Sequence, residues 1–238
     1  MRGLTKGTPP ANVSPPGQQP TSLAQWDAGY QVTVAAIADA KARVRHARTR
    51  FTSMHKRYLR DLLFIEQRYL CIYCERQIDE SHPPPHVAHW NPLSLFLHEV
   101  FDWNNLHLSC LSIDTCDDRQ KDDALHLPWP VRFPYEDVLG MTSGGRMYVR
   151  SDVVLSPQLR QSLEIALEDL PGPPGARSTL NLNQPALREA RAAVIETEEE
   201  VTPAQRQQRI AALLAQTRRE NFISARLAAL NGQLGVGR

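Results

Sequence analysis

Apolar positions recur at helical spacing in the first third of the chain. They follow one another at intervals of three and four residues, which places them on one face of a helix. These positions are Ile37, Ala40, Val44, Ala47, Phe51 and Met54. The pattern predicts a helical region from Thr21 to about Glu66, with this face turned toward the core or toward a partner.

The segment before this region has a different pattern. Residues 1–20 contain five prolines and three glycines, which exclude a helix or a central strand. Two interpretations remain open for it. It is either a disordered tail or an extended arm that docks on the core or on a partner.

The second half of the chain again alternates turn signals with amphipathic segments. Residues 126–151 predict a loop and a hairpin that turns at Ser143-Gly144-Gly145. Helices are predicted over 159–170, ended by PGPPG at 171–175, and from Pro185 to about Glu200. Thr202-Pro203-Ala204-Gln205 reads as a capping box that begins a last long helix.

These patterns predict an α+β protein that is mainly α-helical, with four segments. They are a proline-rich arm at 1–20, a basic helical region at 21–70, a module rich in cysteine and histidine at 71–125, and a mostly helical region at 126–238.

Composition narrows the class of protein. The 238 residues are 42% hydrophobic and 22% charged, which is typical of a globular chain and not of a wholly disordered one. No apolar run approaches the ~20 residues that span a bilayer. The first residues lack the apolar core of a secretory signal, so a cytoplasmic location is expected.

The net charge of +1 conceals a local basic region. Residues 41–60 contain eight Lys or Arg and no Asp or Glu, which predicts either a solvated helix face or a surface that contacts phosphates. The candidate nucleic-acid-binding residues are Lys41, Arg43, Arg45, Arg48, Arg50, Lys56 and Arg57.

Four cysteines occur in two pairs within the third segment. Cys71 and Cys74 are separated by two residues, and Cys110 and Cys116 by five. Two thiolate pairs form a closed tetrahedral site that suits a structural zinc ion. A redox pair and simple buried thiols are the alternatives, although no βαβ pattern surrounds the first pair, as a redox motif would require.

The order of residues between the cysteine pairs resembles the HNH endonuclease family. His89 follows Val87-Ala88, Asp102-Trp103-Asn104-Asn105 leads into the apolar stretch before Cys110, and Asp117-Asp118 follow Cys116. The resemblance covers about residues 71–123. It implies a small ββα-metal module, held together by a structural zinc ion, within a helical scaffold.

A narrower resemblance extends along most of the chain. The segments MRGLTKGTPP, CIYCE, VAHWNPLS, DWNNLHLSC and LNLNQPALREAR are similar to the HNH subunit of Septu-type and retron-associated anti-phage systems. That resemblance implies an ABC-type ATPase as partner and nucleic acid as substrate, with DNA favoured and RNA as the alternative. The chain itself has no Walker A loop, so we do not expect it to be the ATPase.

The resemblance also assigns roles to individual residues. His89 would be the general base, because an imidazole suits that role at cellular pH, and Asn105 would orient its ring through a hydrogen bond. Asp117 or Asp118 would bind a catalytic Mg²⁺ or Mn²⁺, since hard cations prefer oxygen ligands.

Two departures from the family pattern keep a second hypothesis open. Ala88 stands where the family usually has an acidic metal ligand, and Asp117 stands where His or Asn is usual. His86, on the same predicted strand as His89, is a candidate replacement ligand. If the metal site is incomplete, the chain is a zinc-stabilised subunit that binds nucleic acid or a partner without catalysis.

The remaining aromatic and imidazole side chains of this module are predicted to have ordinary structural roles. His82, His86 and His98 are expected in loops or on the surface, apart from the ligand role considered for His86. His107 is expected on the exposed face of the second strand. Trp90 and Trp103 are expected to pack in the core and not to stack on bases.

Overall fold

The computed structural model describes residues 1, 4–80, 83–168 and 178–235, and the chain in this part is of the α+β class, as predicted. Its helices are α1 (Leu23–Ala35), α2 (Ala40–Ser53), α3 (Arg57–Glu66), α4 (Cys116–Gln120), α5 (Tyr135–Val138), α6 (Pro157–Leu167), α7 (Pro185–Glu199), α8 (Pro203–Ala215) and α9 (Ile223–Leu230). Its strands are β1 (His86–His89), β2 (Leu106–Ser109), β3 (Leu139–Thr142), β4 (Met147–Val149) and β5 (Leu234–Gly235).

The basic region is helical, as predicted, but it forms three helices. Ser22 and Gln25 make a capping box that begins α1, and the side chain of Asp39 accepts a hydrogen bond from the amide of Ala42 and so begins α2. The first amides of a helix have no partner within the helix, and cap side chains provide one. Each cap therefore marks the start of a separate helix. Of the predicted apolar face, Ala47 and Met54 are buried, whereas Ala40 is exposed at the first turn of α2.

The N-terminal arm docks on the rest of the chain and is not a disordered tail over the residues described. The amide of Leu4 donates to the carbonyl of Pro130 at 2.9 Å, and the amide of His55 donates to the carbonyl of Val13 at 2.9 Å. Val13 is fully buried. An extended segment rich in proline can therefore be ordered here, because other parts of the chain provide its backbone partners.

Strands β1 and β2 form an antiparallel pair, and helix α4 follows them in the chain. The register pairs His86 with Ser109 and His89 with Leu106. The side chain of Gln120, in α4, donates to the carbonyl of Trp90 at 2.8 Å and so joins the helix to the end of β1. Two buried hydrogen bonds link the side chain of Gln67 with the backbone of Leu108 in β2, on the other side.

The C-terminal region contains the predicted hairpin and helices. Strand β3 pairs with β4 around residues 143–146 and also pairs, in parallel, with β5. Helix α6 ends at Leu167, and the PGPPG segment lies outside the described residues. The predicted last long helix is two helices, α8 and α9. The hydroxyl of Thr202 bonds the side chain of Gln205 and not its amide, so the capping box is incomplete.

A buried cation joins α7 to the hairpin. Arg191 is 1% exposed, and its guanidinium donates to the carbonyls of Gly145 and Leu182. Burial lowers its pKa to about 10, because removal from water disfavours the charged form. No carboxylate among the described residues forms an ion pair with Arg191. Arg191 and Cys74 both line one small cavity.

One large core cluster includes residues from the arm, the basic helices, the β1–β2 module and the C-terminal region. In the part of the chain that the structure describes, none of the helices has both the length and the apolar character to cross a membrane.

Candidate metal and catalytic site

The four cysteines form one buried cluster. Their sulfur atoms all lie within 4.8 Å of one another, with 3.9 Å from Cys71 to Cys116 and 3.8 Å from Cys74 to Cys110. A tetrahedral ion with Zn–S bonds of about 2.3 Å places its sulfur ligands about 3.8 Å apart. The donor set and its spacing therefore fit zinc, and the predicted grouping of these four residues is confirmed.

Local backbone structure explains how the two cysteine pairs meet. The amide of Glu75 donates to the carbonyl of Cys71 at 3.1 Å, which closes a tight turn around the first pair. The amide of Ile72 donates to the carbonyl of Leu108, so the turn lies against β2. Cys110 follows directly after β2, and Cys116 begins α4. The spacing of five in the second pair thus spans the connection from strand to helix.

The sulfur atoms interact strongly with one another. The pKa of the Cys110 thiol is lowered because its sulfur interacts with the Cys116 thiol and with the other two. Burial raises the pKa of Cys116. A bound cation would allow all four thiols to ionise together, which is how thiolate sites hold zinc.

His89 lies at the end of β1, and one of its ring nitrogens is fixed by the backbone. Its Nε2 is 3.0 Å from the carbonyl oxygen of Val100, and a carbonyl can only accept, so Nε2 carries the proton. The ring packs against Phe51, with 4.5 Å between the ring centres. Among the described residues nothing bonds Nδ1, which leaves its lone pair available.

The electrostatic surroundings of His89 keep the ring neutral. The pKa of His89 is lowered to about 4, mainly by burial. The hydrogen bond to Val100 and the carboxylate of Asp117 act to raise this pKa, and the ammonium of Lys56 acts to lower it. At cellular pH the imidazole is therefore in the form that can accept a proton.

Asn105 does not hydrogen-bond to the His89 ring as predicted. Its side chain is fully buried and accepts from the amide of Asn91 at 2.7 Å. It donates to the carbonyls of Asn91 and Glu99, each at 3.1 Å. Asn105 therefore holds together the loop between β1 and β2, which also includes Val100. Its influence on His89 is indirect, through the backbone carbonyl that fixes the ring.

Of the candidate cation ligands, Asp117 and His86 are brought together. The Oδ2 atom of Asp117 is 3.2 Å from Nδ1 of His86, and this contact raises the pKa of His86. The carboxylate of Asp118 instead accepts from the amide of Asp114 at 2.7 Å. Ala88, at the position of the expected acidic ligand, is buried and offers no donor atom.

The predicted positions of the other histidines and tryptophans are confirmed in part. His107 is fully buried and packs edge-on against Trp90, so its expected exposed position is wrong. Every residue of β2 is buried, because packed elements cover both of its faces. Trp90 and Trp103 are buried, as expected, and His98 is a surface residue beside Glu99. His82 lies outside the described residues.

The candidate basic residues do not share one environment. Arg48 forms an exposed ion pair with Asp122 at 2.9 Å, Arg43 donates to the carbonyls of Ile37 and Ala38, and Arg50 lies over the ring of Trp26. Lys41, Arg45 and Arg57 are exposed. Lys56 also lies over an aromatic ring, with its ammonium 4.4 Å from the centre of the Phe51 ring, but that ring is the one that packs on His89.

Sequence reasoning missed the contact between this basic region and His89. Phe51 belongs to the predicted apolar face of α2, but nothing in that pattern indicates that its ring packs on a histidine 38 positions later in the chain. It also missed the Val100 carbonyl, because a backbone acceptor leaves no signal in residue type.

No protein-family model matches this chain, and none of the curated proteins is a significant match.

Proposed function

We propose that this protein is a metal-dependent endonuclease of the HNH type, which hydrolyses phosphodiester bonds of nucleic acid. The observation that carries the proposal is the state of His89. Its protonated Nε2 is fixed on the carbonyl of Val100, and its Nδ1 lone pair has no partner among the described residues. It lies on a β-hairpin that a short helix with Asp117 follows.

In this proposal His89 acts as the general base. Nδ1 accepts a proton from the water that attacks phosphorus, and the Val100 carbonyl stabilises the resulting imidazolium through the Nε2 hydrogen bond. Asp117 and His86 are the described residues that would hold the divalent cation. When bound, that cation would neutralise charge on the phosphate and assist the leaving oxygen. A zinc ion at the four cysteines would have a structural role, because protein ligands would take all its positions.

The central experiment measures cleavage of DNA and of RNA by the zinc-loaded protein with added Mg²⁺ or Mn²⁺. We expect His89→Ala to lower the rate by at least 10²-fold, which is in the range of a general base, with the zinc content unchanged. The matched control is His98→Ala, because the His98 ring is exposed and its polar partner among the described residues is the neighbouring Glu99. Equal rates for His89→Ala and the unaltered protein would refute the assignment of the base.

A second candidate function is a zinc-stabilised subunit that binds nucleic acid or a partner without catalysis. The specific observation in its favour is the sparse cation site, since Ala88 has no ligand atom and Asp118 is engaged by the amide of Asp114. This alternative predicts binding to nucleic acid with no cleavage under any divalent cation. It also predicts no change on His89→Ala.

We further propose that the chain is the effector subunit of an anti-phage complex with an ABC-type ATPase. The support is the similarity of five sequence segments to the HNH subunit of Septu-type systems. Co-expression with the ABC-type ATPase of a Septu-type system is expected to yield a stable complex that protects cells from phage. Protection that persists in full with His89→Ala would separate defence from the proposed catalysis.

A further inference from the structure

Lys56 and His89 contact the same aromatic ring although the two residues are far apart in sequence. The ammonium of Lys56 is 4.4 Å from the centre of the Phe51 ring, and the centre of the His89 ring is 4.5 Å from it. The charge of Lys56 also perturbs the pKa of His89. The cation is therefore within electrostatic range of the candidate base.

Arg60 is the next cation on the same side of α3. It is four residues after Lys56, and the two positive charges repel each other enough to lower the pKa of Lys56, in addition to the larger effect of burial. Residues four apart lie on one face of a helix. The Nε atom of Arg60 is buried and has no hydrogen-bond partner among the described residues.

Neither cation forms an ion pair among the described residues, although the carboxylate of Asp61, next to Arg60 in sequence, opposes the effect of burial on the pKa of Arg60. In the part of the chain described, no carboxylate lies within ion-pair distance of Lys56 or Arg60, whereas Arg48 has Asp122. The first turn of α3 contains no acidic residue, and Lys56, at its N-cap, provides no side-chain acceptor for the helix amides. The start of α3 thus adds the positive end of a helix dipole to the two side chains.

Two adjacent, partly desolvated cations cost free energy unless an anion joins them. A phosphate group is the anion that suits this arrangement, because guanidinium and ammonium groups both donate to its oxygens. The same location next to His89 would bring that phosphate to the candidate base.

We infer that Lys56 and Arg60 form a phosphate-binding pair that holds the nucleic-acid backbone beside His89. The inference rests on the proposed function, because that function provides the nucleic-acid substrate. It adds that two cations, and not the whole basic region, bind the phosphate. The pair contacts substrate, whereas Arg43 and Arg48 stabilise α2 and its neighbours.

The test measures binding of a labelled 20-base-pair DNA duplex to the full-length His89→Ala protein, so that cleavage does not interfere. Lys56→Gln and Arg60→Gln are each expected to weaken binding about tenfold, as for one charge-assisted phosphate contact. Each is also expected to reduce the slope of log affinity against log salt by about one. Lys56→Arg keeps the charge and is expected to retain most of the affinity.

The matched control is Arg188→Gln, which removes one positive charge from an exposed position on α7. It is expected to leave the slope unchanged. Zinc content and thermal unfolding are measured for every variant. If Arg60→Gln does not fold, Lys56→Gln decides the question, because Arg60 has a buried Nε atom and the side chain of Lys56 has no such buried, unpartnered atom.

The outcomes separate this inference from the proposed function. If the duplex does not bind, a single-stranded RNA of the same length is used, and failure of both at low salt overturns the inference. Unchanged affinity and slope in Lys56→Gln also overturn it, even if the unaltered protein cleaves nucleic acid. Weakened binding in both variants, together with no cleavage by the unaltered protein, supports the phosphate-binding pair and refutes the nuclease proposal.

Discussion

Asn105 provides the sharpest test of how this site is built. Replacement by Ala removes one accepted and two donated hydrogen bonds, all made by a fully buried amide to backbone groups of Asn91 and Glu99. At about 1 kcal/mol for each hydrogen bond, the expected loss is about 3 kcal/mol in the free energy of unfolding. That is a large part of the 5–15 kcal/mol typical of a whole domain.

The measurement is urea unfolding of the zinc-loaded protein at equilibrium, compared with Asn104→Ala. Asn104 is the adjacent amide, and among the described residues its side chain bonds only Asp102, two residues away. Its replacement is therefore expected to cost less than about 1 kcal/mol. If Asn105→Ala and Asn104→Ala have the same stability, the hydrogen bonds of Asn105 do not hold this loop in place and our reasoning is wrong.

Three further predictions concern the metal site and the two histidines of β1. Cys74→Ser is expected to abolish tight binding of one zinc per chain, measured by metal analysis after dialysis, and retention of stoichiometric zinc would contradict the four-sulfur site. An NMR titration is expected to give His86 a pKa above 6.5, returning toward 6.5 in Asp117→Asn. Because the folded-state pKa is raised, this contact stabilises the fold below pH 6.5 and is lost as pH rises through the raised value. His89 is expected to have a pKa of about 4, so its ring stays neutral down to pH 5. Because this folded-state pKa is lowered, the fold loses stability as pH falls from 6.5 toward 4, which is the opposite of the effect of His86. A measured pKa near 6.5 for His89 would disprove its burial.

The four-cysteine cluster was the most predictable feature because its signal is largely local. A turn of two residues between Cys71 and Cys74 suffices to place both sulfurs on one ion, and the second pair needs only to come near. The hairpin at residues 143–146 was predictable for a similar reason, since glycine and serine determine a turn within a few residues.

The wrong predictions depend on contacts between distant segments. His107 alternates with leucines, which normally indicates a strand with one exposed face, but β2 is covered on both sides. The helical pattern did not reveal the two breaks, because the apolar face from Ile37 to Met54 covers only α2 and its flanks, and the start of α2 depends on an individual side chain, that of Asp39. The role of Asn105 differs because its partners are backbone groups, which no residue pattern specifies.

Arg191 has a consequence for the order in which the protein assembles. A zinc ion with four thiolates carries a net charge of −2, and the buried guanidinium of Arg191 shares a cavity with Cys74, one of those ligands. Helix α7, which begins 69 residues after Cys116, would therefore dock most favourably on a chain whose cysteines already hold a metal ion. If a metal ion binds the four cysteines, its removal is expected to weaken the docking of α7 and so to leave the last helices more accessible to proteases.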